Sequence, residues 1–221
     1  MVYDSWRSYS LRVCGQSNKR VVMEKFISLY HQPVHSRDVM EACFFCVEHS
    51  LSGISVTPDM LSKARDLLSD DFLLSSCVDF PGGLSSCDVK CHMAISNIRK
   101  GANCIDFVAN PSYLLNSNDL IEFKDEVSSV FDICTERNAV FRVMIDYRFH
   151  TNRKIISIFN VLKEIGVQNC FLSTGYFSDD ITDQIALARY AGDICNMNVI
   201  YNGRPWSWLG NSSVHLFLWG H

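Results

Sequence analysis

The stretch FLLSSCVDFPGGLSSCDVKCHMAISNIRKGANCIDFVAN, residues 72–110, contains one complete strand–helix–strand unit. Residues 72–83 indicate a strand that ends in a turn, and residues 85–102 indicate a capped helix that stops at Gly101. Residues 103–110 then indicate a second strand. Both strands are short apolar runs without regular alternation, which is typical of strands covered on both faces in a parallel sheet.

The same alternation of strand and helix extends in both directions along the chain. The other predicted strands cover residues 26–31, 53–58, 139–146, 170–172 and 197–204. The other predicted helices cover residues 36–51, 59–71, 117–137, 152–166 and 178–195. This long succession of strand–helix units favours an α/β fold of the TIM (β/α)8 barrel type over an open parallel sheet.

The composition indicates a globular chain with a large core. Of its 221 residues, 48% are hydrophobic and 20% are charged, so the chain can bury enough apolar surface to fold. We expect a single barrel domain over residues 26–221 and an N-terminal extension over residues 1–25. The net charge is −4 and no long run of Lys or Arg occurs, which argues against nucleic acid as a partner.

Ten cysteines raise the question of the redox compartment. Residues 1–16 lack the charged segment and the apolar segment of a signal peptide, and no apolar run reaches the roughly 20 residues that span a bilayer. We therefore expect a cytoplasmic chain that does not bind membranes. Its cysteines are interpreted mainly as small buried hydrophobic residues, with disulfides as the alternative.

A cluster of Cys87, Cys91 and His92 is the one motif that points towards a metal. Cys87 and Cys91 share one face of the predicted helix, but no second pair of Cys or His residues at ligand spacing completes a tetrahedral site. The sequence therefore predicts no metal site and no other cofactor.

Polar residues follow several of the predicted strands, at the edge where a barrel places its active site. They can supply acid–base and phosphate-binding groups, although each acid could equally cap the helix that follows it. These residues are Asp79, Asp106, Asp146, Ser173, Thr174, Asn202, Gly203 and Arg204.

Several motifs resemble those of deoxyribose-phosphate aldolases. The most specific is CVDFPGG, followed by a helix and then by GANCIDFVAN, which resembles that family's Phe-Pro-x-Gly turn, Gly-Ala and Ile-Asp-x-Val strand. FRVMIDY resembles the fifth strand, FLSTGY the Ser-Thr-Gly loop after the sixth, and GISVTP the second strand. The resemblance covers residues 26–204 in order, and it implies the barrel fold of that family.

The resemblance implies a class I aldolase reaction, the cleavage of 2-deoxy-D-ribose 5-phosphate into glyceraldehyde 3-phosphate and acetaldehyde in deoxyribonucleotide catabolism. That reaction needs a lysine amine to form a Schiff base. The resemblance places this lysine two residues before Ser-Thr-Gly, where the chain has Phe171. The family's second lysine, on the seventh strand, has no counterpart in residues 197–204. We therefore expect a degenerate member that has lost the reaction.

The rest of the family's catalytic machinery is retained only in part. Ser28 stands where the resemblance implies an Asp on the first strand. Asp106 matches the family's proton relay, and a structural role is the alternative. No other lysine is expected to replace the missing amine, because Lys90 and Lys100 are expected to face outward and Lys163 lies on the preceding helix.

The resemblance also implies a phosphate site, in which loop backbone N–H groups bind the sugar phosphate. Its residues would be Ser173, Thr174, Gly175, Gly203, Gly210, Asn211, Ser212 and Ser213. Only residues 202–205 separate Tyr201 from Trp206, which is too short for a helical crossover. We therefore expect the seventh helix to be missing and the C-terminal end of the barrel to be irregular, with a simple apolar tail as the alternative.

Two functions from different classes remain open. The first is a degenerate aldolase that still binds a sugar phosphate as a small-molecule partner. The second is a non-catalytic interaction or scaffolding protein, for which Trp206, Trp208 and Trp219 would supply an apolar patch. A shortened barrel would leave strand edges exposed, which favours a homodimer.

Overall fold

The computed structural model describes residues 12–13, 26–30, 34–116, 120–176, 195 and 197–200. The strands are β1 (Arg12–Val13), β2 (Phe26–Ser28), β3 (Gly53–Val56), β4 (Leu73–Val78), β5 (Cys104–Val108), β6 (Val140–Met144), β7 (Asn169–Phe171) and β8 (Asn198–Ile200). The helices are α1 (Ser36–Glu48), α2 (Leu61–Arg65), α3 (Cys87–Arg99), α4 (Pro111–Asn116), α5 (Ile121–Glu136) and α6 (Asn152–Ile165). Within these ranges, no helix combines the length and the apolar character needed to cross a bilayer.

All eight strands belong to one sheet, in the order β1-β8-β7-β6-β5-β4-β3-β2. Strands β2 to β8 follow one another in chain order, and each pairs in parallel with its neighbour. Parallel strands in sequential order with helical crossovers are the architecture of a TIM-type barrel. The predicted α/β fold class is confirmed. The predicted loss of the seventh helix concerns residues 201–206, which lie outside the described residues.

Helix α6 shows why the amphipathic segments fold as predicted. At its N-terminus the Thr151 side chain accepts a hydrogen bond from the Lys154 N–H at 3.3 Å, and at its C-terminus Gly166 adopts φ 99°, which favours glycine. Its buried side chains are Ile155, Ile158, Phe159 and Leu162. This spacing places all four on one helix face, which packs in the core.

The two faces of the sheet differ in character, because successive side chains of a strand point to opposite sides. The outer face, beneath the helices, is apolar except for Ser76, whose hydroxyl donates to the Val56 carbonyl at 2.9 Å. Its buried residues include Ile54, Leu74, Ile105, Val143 and Cys170. The inner face, which the strands enclose, carries polar residues at the alternate positions. These include Ser55, Ser75, Asp106 and Arg142. A TIM-type barrel builds its site from this inner face and from the loops that follow the strands.

Two helices differ from the prediction. Helix α2 ends at Arg65, although the sequence predicts a helix to residue 71. The Arg65 guanidinium donates to the carbonyl oxygens of Leu68 (3.4 Å) and Ser69 (2.8 Å) and so binds the turn that follows the helix. Helix α4 was not predicted, although it begins with Pro111, a residue favoured at the first helical position.

The N-terminal segment contributes a strand that the sequence analysis missed. Strand β1 pairs antiparallel with β8, with Arg12 opposite Ile200 and Val13 opposite Val199. Two residues are too short to give a recognisable pattern of apolar alternation. The pairing covers the outer edge of β8, the last parallel strand, which would otherwise present unpaired backbone groups.

Candidate functional site

Asp106 lies at the centre of the inner face and is fully buried. It is the middle residue of β5 and accepts hydrogen bonds from strands β3, β4 and β6 and from Tyr30, which follows β2. Its Oδ2 atom accepts from the hydroxyls of Ser75 (2.6 Å), Tyr30 (2.8 Å) and Ser55 (3.4 Å). Arg142 donates to both oxygens, from Nε to Oδ1 at 2.5 Å and from Nη2 to Oδ2 at 2.8 Å. The carboxylate is therefore surrounded by donors.

The Arg142 guanidinium is held between two aromatic rings. Its Cζ atom lies 4.6 Å from the ring centroid of Phe26 and 5.2 Å from that of Phe171. Burial opposes the charge of Arg142, but the Asp106 carboxylate, with further contributions from Cys104 and Tyr30, raises the pKa of Arg142 above its usual value. Arg142 therefore remains a cation in a bidentate buried ion pair, a geometry that orients both partners.

Tyr30 completes this arrangement from the end of β2. Burial, and then the neighbouring Asp106 carboxylate, raise the pKa of Tyr30 well above its usual value. Its hydroxyl therefore stays protonated and keeps donating to Asp106. The contacts of Asp106 favour the structural alternative over the proton relay, because its donors are fixed side chains of the protein. The assignment of Asp106 as a relay stays a prediction.

Phe171, at the position that the resemblance gives to the Schiff-base lysine, is the last residue of β7 and is 2% exposed. Its register partners are Met144 and Ile200, and its ring reaches Arg142, so the side chain lies on the inner face. Six lysines lie in the described ranges, and each belongs to a helix or a helix end. They are Lys63, Lys90, Lys100, Lys124, Lys154 and Lys163. None of these six projects an amine from a strand.

Lys90 was predicted to face outward, and this prediction is wrong. Its side chain is fully buried between α3 and the sheet, where Nζ donates to Glu126 (2.7 Å) and to the carbonyl oxygens of Gly83 (2.8 Å) and Val108 (3.0 Å). Its amine also lies 4.9 Å from the ring centroid of Phe107, an outer-face residue. Lys90 is thus buried on the side of the sheet opposite to the candidate site.

Glu126 is the partner that allows this lysine to be buried. Its second oxygen accepts from the Asn110 backbone N–H at 3.0 Å, so the carboxylate links α5 to the loop after β5. Burial raises the pKa of Glu126, and the nearby Lys90 offsets this only in part. The lysine, the carboxylate and three backbone groups together join two loops at the C-terminal edge of the sheet to the helix layer.

The other two predicted acids at strand ends, Asp79 and Asp146, make hydrogen bonds within the loops that follow their strands. Asp79 adopts φ 61° and accepts from the backbone N–H (2.6 Å) and the hydroxyl (2.7 Å) of Ser85. Asp146 accepts from the backbone N–H of Arg148 at 3.2 Å and pairs with its guanidinium at 2.9 and 2.5 Å. These contacts favour the capping alternative for both acids, because each holds the turn that follows its strand.

The Ser173–Thr174–Gly175 loop is buried at the end of β7. Gly175 adopts φ 69°, and its N–H donates to the Ser173 hydroxyl at 2.9 Å. The Tyr176 N–H lies 3.4 Å from the Thr174 hydroxyl oxygen. Two of the loop's N–H groups thus have partners within the loop. The other predicted phosphate-binding residues lie outside the described residues. They are Gly203, Gly210, Asn211, Ser212 and Ser213.

Ser28 stands where the resemblance implies an acid, and it lies beside Ser55 in the sheet. The side chain is 9% exposed, and its hydroxyl has no hydrogen-bond partner among the described residues. A hydroxyl cannot substitute for a carboxylate in pairing with a cation. On the inner face, Asp106 supplies the carboxylate that pairs with Arg142.

The cysteines of the described ranges are free thiols, and most are buried. Cys87 and Cys91 are half-buried, and burial, followed by the neighbouring Cys87, raises the pKa of Cys91 to about 11. A protonated thiol is a poor metal ligand. In the part of the chain that is described, no three His, Cys, Asp or Glu side chains come together as a metal site would require.

Three aromatic rings meet at the C-terminal edge of the strands. The ring centroid of Phe80 lies 5.4 Å from that of Tyr30 and 6.2 Å from that of Tyr176. The sequence analysis missed these contacts, as it missed the roles of Arg142 and Glu126. The sequence contained one sign of the role of Arg142: it is a charged residue inside a buried strand, and such a residue requires a partner. Nothing in the local pattern identified that partner as Asp106.

Comparison with known proteins places this fold and these motifs in context. No family model matches the chain. A deoxyribose-phosphate aldolase of Treponema denticola is 30% identical over 159 residues, which are 71% of this chain and 73% of that protein. The solved aldolase QR15 superposes with a TM-score of 0.68 at 19% identity, over 79% of this chain and 76% of the other. The tetrameric deoxyribose phosphate aldolase of Aeropyrum pernix gives a TM-score of 0.66 at 19% identity, over 79% and 72%. This chain belongs to the deoxyribose-phosphate aldolase family.

Proposed function

We propose that this chain is a member of the family that no longer cleaves 2-deoxy-D-ribose 5-phosphate. The observation that carries the proposal is the contact between Phe171 and Arg142. The motif resemblance assigns Phe171 to the position of the Schiff-base lysine, and its ring packs on a guanidinium that is itself paired with Asp106. The inner face thus carries a buried ion pair that lies between the rings of Phe26 and Phe171.

The chemistry explains why this substitution removes the reaction. Cleavage of the carbon–carbon bond leaves a carbanion, and a protonated imine on a lysine is the electron sink that stabilises it. A phenyl ring cannot form an imine. Arg142 cannot replace the lysine, because its guanidinium stays protonated and hydrogen-bonded to Asp106.

The direct experiment is an assay of retro-aldol cleavage, with acetaldehyde release as the readout. We expect no cleavage of 2-deoxy-D-ribose 5-phosphate above the background of the uncatalysed reaction. The aldolase of Treponema denticola, prepared in parallel, serves as the positive control. Turnover by this chain that survives repurification would contradict the proposal.

We further propose that the chain retains sugar-phosphate binding at the loop after β7. The loop keeps the family's Ser-Thr-Gly sequence, and its hydroxyls are buried at the edge of the inner face. A ligand that binds only the folded state raises the unfolding temperature in proportion to ln(1 + [L]/Kd). We expect 2-deoxy-D-ribose 5-phosphate to raise it and unphosphorylated 2-deoxyribose to have no effect. The same shift in a Thr174→Val variant, which removes one hydroxyl of the loop, would argue against this site.

A second candidate function is self-association as a scaffold. Helix α1 exposes Met40 (39%), Phe44 (59%) and Val47 (50%), which share one helix face. The deoxyribose phosphate aldolase of Aeropyrum pernix is tetrameric. We propose that a second copy of this chain binds the exposed face of α1. Light scattering should then show a dimer or larger assembly, and Phe44→Glu should reduce it. Phe149→Glu, at another exposed Phe, is the matched control.

A further inference from the structure

Two cysteines of α3 differ from the other cysteines of the described ranges. Of the nine free cysteines in those ranges, seven are buried, whereas Cys87 and Cys91 are half-buried. Helix α3 belongs to the helix layer outside the sheet, so a reagent in solution reaches these two thiols without opening the core. The function proposed above uses neither of them.

The two thiols lie one helical turn apart on the same face of α3. Cys87 is the first residue of the helix, and Cys91 follows four residues later. Residues at this spacing have Cβ atoms about 5–6 Å apart. The two side chains are in contact, because a hydrogen bond with Cys87 is one of the causes, after burial, that raise the pKa of Cys91. Cys91 also packs against the hydrophobic core, which holds one member of the pair in place.

This spacing discriminates between the reactions that are open to a pair of thiols. A disulfide needs Cβ atoms about 3.5–4.5 Å apart, so oxidation of this pair would distort the helix. A tetrahedral zinc site needs four ligands, and among the described residues no third His, Cys, Asp or Glu joins the pair. A single atom that forms two bonds of about 2.3 Å to sulfur spans up to about 4.6 Å between the sulfurs, which fits thiols one helical turn apart.

We propose that Cys87 and Cys91 form a binding site for a soft, thiophilic centre that takes two thiolate ligands, such as a monovalent d10 metal ion or trivalent arsenic. Thiolate sulfur selects soft centres of this kind. Binding displaces both thiol protons. The inference goes beyond the proposed function and does not depend on it, because α3 lies on the opposite side of the sheet from the inner face.

Phenylarsine oxide is a suitable probe, because its arsenic atom bonds to two sulfurs at once. The reaction is PhAsO + 2 RSH → PhAs(SR)2 + H2O. Two arsenic–sulfur bonds form, the arsenic–oxygen bond breaks, and the oxygen leaves as water with both thiol protons. No electrons are transferred, so the step needs no oxidant or reductant.

The experiment titrates the folded chain with phenylarsine oxide in the presence of excess 2-mercaptoethanol, a monothiol that competes for arsenic bound to single cysteines. Intact mass spectrometry counts the bound groups and peptide mapping locates them. We expect one phenylarsenic group on the unmodified chain, bridging Cys87 and Cys91. In Cys87→Ser and in Cys91→Ser the half-saturating concentration should rise about a hundredfold, because the second sulfur no longer binds at a high effective concentration.

A double variant tests the spacing itself. Cys91→Ser with Val89→Cys keeps two accessible thiols on α3, since Val89 is 44% exposed, but residues two apart do not face each other on a helix. We expect it to bind the probe as weakly as Cys91→Ser does. Far-UV circular dichroism of each variant verifies that the fold is retained.

Three results would overturn the proposal. The first is the absence of an adduct on the unmodified chain, a measurement that depends on no variant. The second is an adduct that maps to other cysteines. The third is binding by Cys91→Ser, or by the double variant, that equals binding by the unmodified chain, because the pair and its spacing would then not form the site.

Discussion

Two buried ion pairs lie on opposite faces of the same sheet, and they have different consequences. Asp106 and Arg142 pair on the inner face, with side chains 0% and 4% exposed. Lys90 and Glu126 pair on the outer side, at 0% and 1% exposed. The inner pair is bidentate and has aromatic walls and hydroxyl donors, whereas the outer pair is a single 2.7 Å contact supported by backbone groups and by the Asp79 carboxylate, 3.8 Å from the Lys90 amine.

The two pairs show that a buried amine can serve as an aldolase nucleophile only if it lies on the inner face, where a ligand could reach it. Lys90 is a fully buried amine, and burial is one of the conditions that activates a lysine. Its amine points to the helix side and is held by fixed acceptors, so it cannot reach a ligand on the inner face. The cation that does lie on the inner face is Arg142, which forms no imine. Neither pair supplies an aldolase nucleophile.

The inner pair should contribute the larger share of stability. Asp106→Asn keeps the shape of the side chain but leaves the buried Arg142 cation without its counter-charge, at a cost of about 3–5 kcal/mol in the free energy of unfolding. Urea denaturation measures this loss. Ser75→Ala is the control and should cost about 1 kcal/mol, because Asp106 keeps its bonds to Arg142. A loss below about 1 kcal/mol in Asp106→Asn would instead support Asp106 as a proton relay that the fold does not need.

Lys90→Met breaks the outer pair and should lower the free energy of unfolding by about 2–3 kcal/mol. The loss is smaller than for the inner pair, because Glu126 can take up a proton and become neutral. Burial already raises the pKa of Glu126 in the folded chain. The folded state of the variant therefore binds this proton more readily than the unfolded state, and its stability should rise as the pH falls from 7 towards 5. Urea unfolding at several pH values tests this.

The double variant Lys90→Met with Glu126→Gln is the matched control for that pH dependence. It lacks the titrating group, so the gain in stability at low pH relative to pH 7 should disappear. A similar gain in the double variant would assign the pH dependence to other residues and would remove the distinction between the two pairs.

The smallest effect concerns the hydroxyl of Tyr30. Tyr30→Phe removes one of the donors to Asp106 and should lower the free energy of unfolding by about 1 kcal/mol, since Arg142 and Ser75 still bind the carboxylate. Thermal unfolding of Tyr30→Phe beside the unmodified chain measures this loss. Equal stability of the two would show that Tyr30 is not part of the inner network.

The sequence was sufficient to predict the fold class, whereas the assignment of Phe171 to the position of the Schiff-base lysine stays a prediction. Buried strands give apolar runs without alternation, so β4, β5 and β6 were found close to their observed bounds. Phe171 was identified because the motif that follows it, Ser173 to Gly175, fixes its place in the family pattern. Apolar runs predict strand positions reliably here, because burial on both faces of the sheet acts on each residue of the strand directly.

Helix α3 shows where this reasoning fails. Its buried positions are Lys90, Ala94 and Asn97, whereas Val89 on the same helix is 44% exposed. Lys90 and Asn97 are buried because they donate to loop and strand groups, Asn97 to the Cys77 carbonyl at 3.0 Å. Hydrophobic periodicity assigns such residues to the exposed face, because it uses only residue polarity along the helix and contains no information on hydrogen-bond partners distant in sequence. Arg142 and Asp106 were missed as a pair for the same reason.

Borohydride trapping followed by intact mass spectrometry tests directly whether any lysine of this chain forms an imine with the sugar phosphate. The unmodified chain and Phe171→Lys are incubated with 2-deoxy-D-ribose 5-phosphate and then reduced. The nearby Arg142 cation should lower the pKa of the introduced amine and so favour imine formation. We expect no change of mass in the unmodified chain and a covalent adduct in Phe171→Lys. A trapped adduct on any lysine of the unmodified chain, located by peptide mapping, would contradict the account.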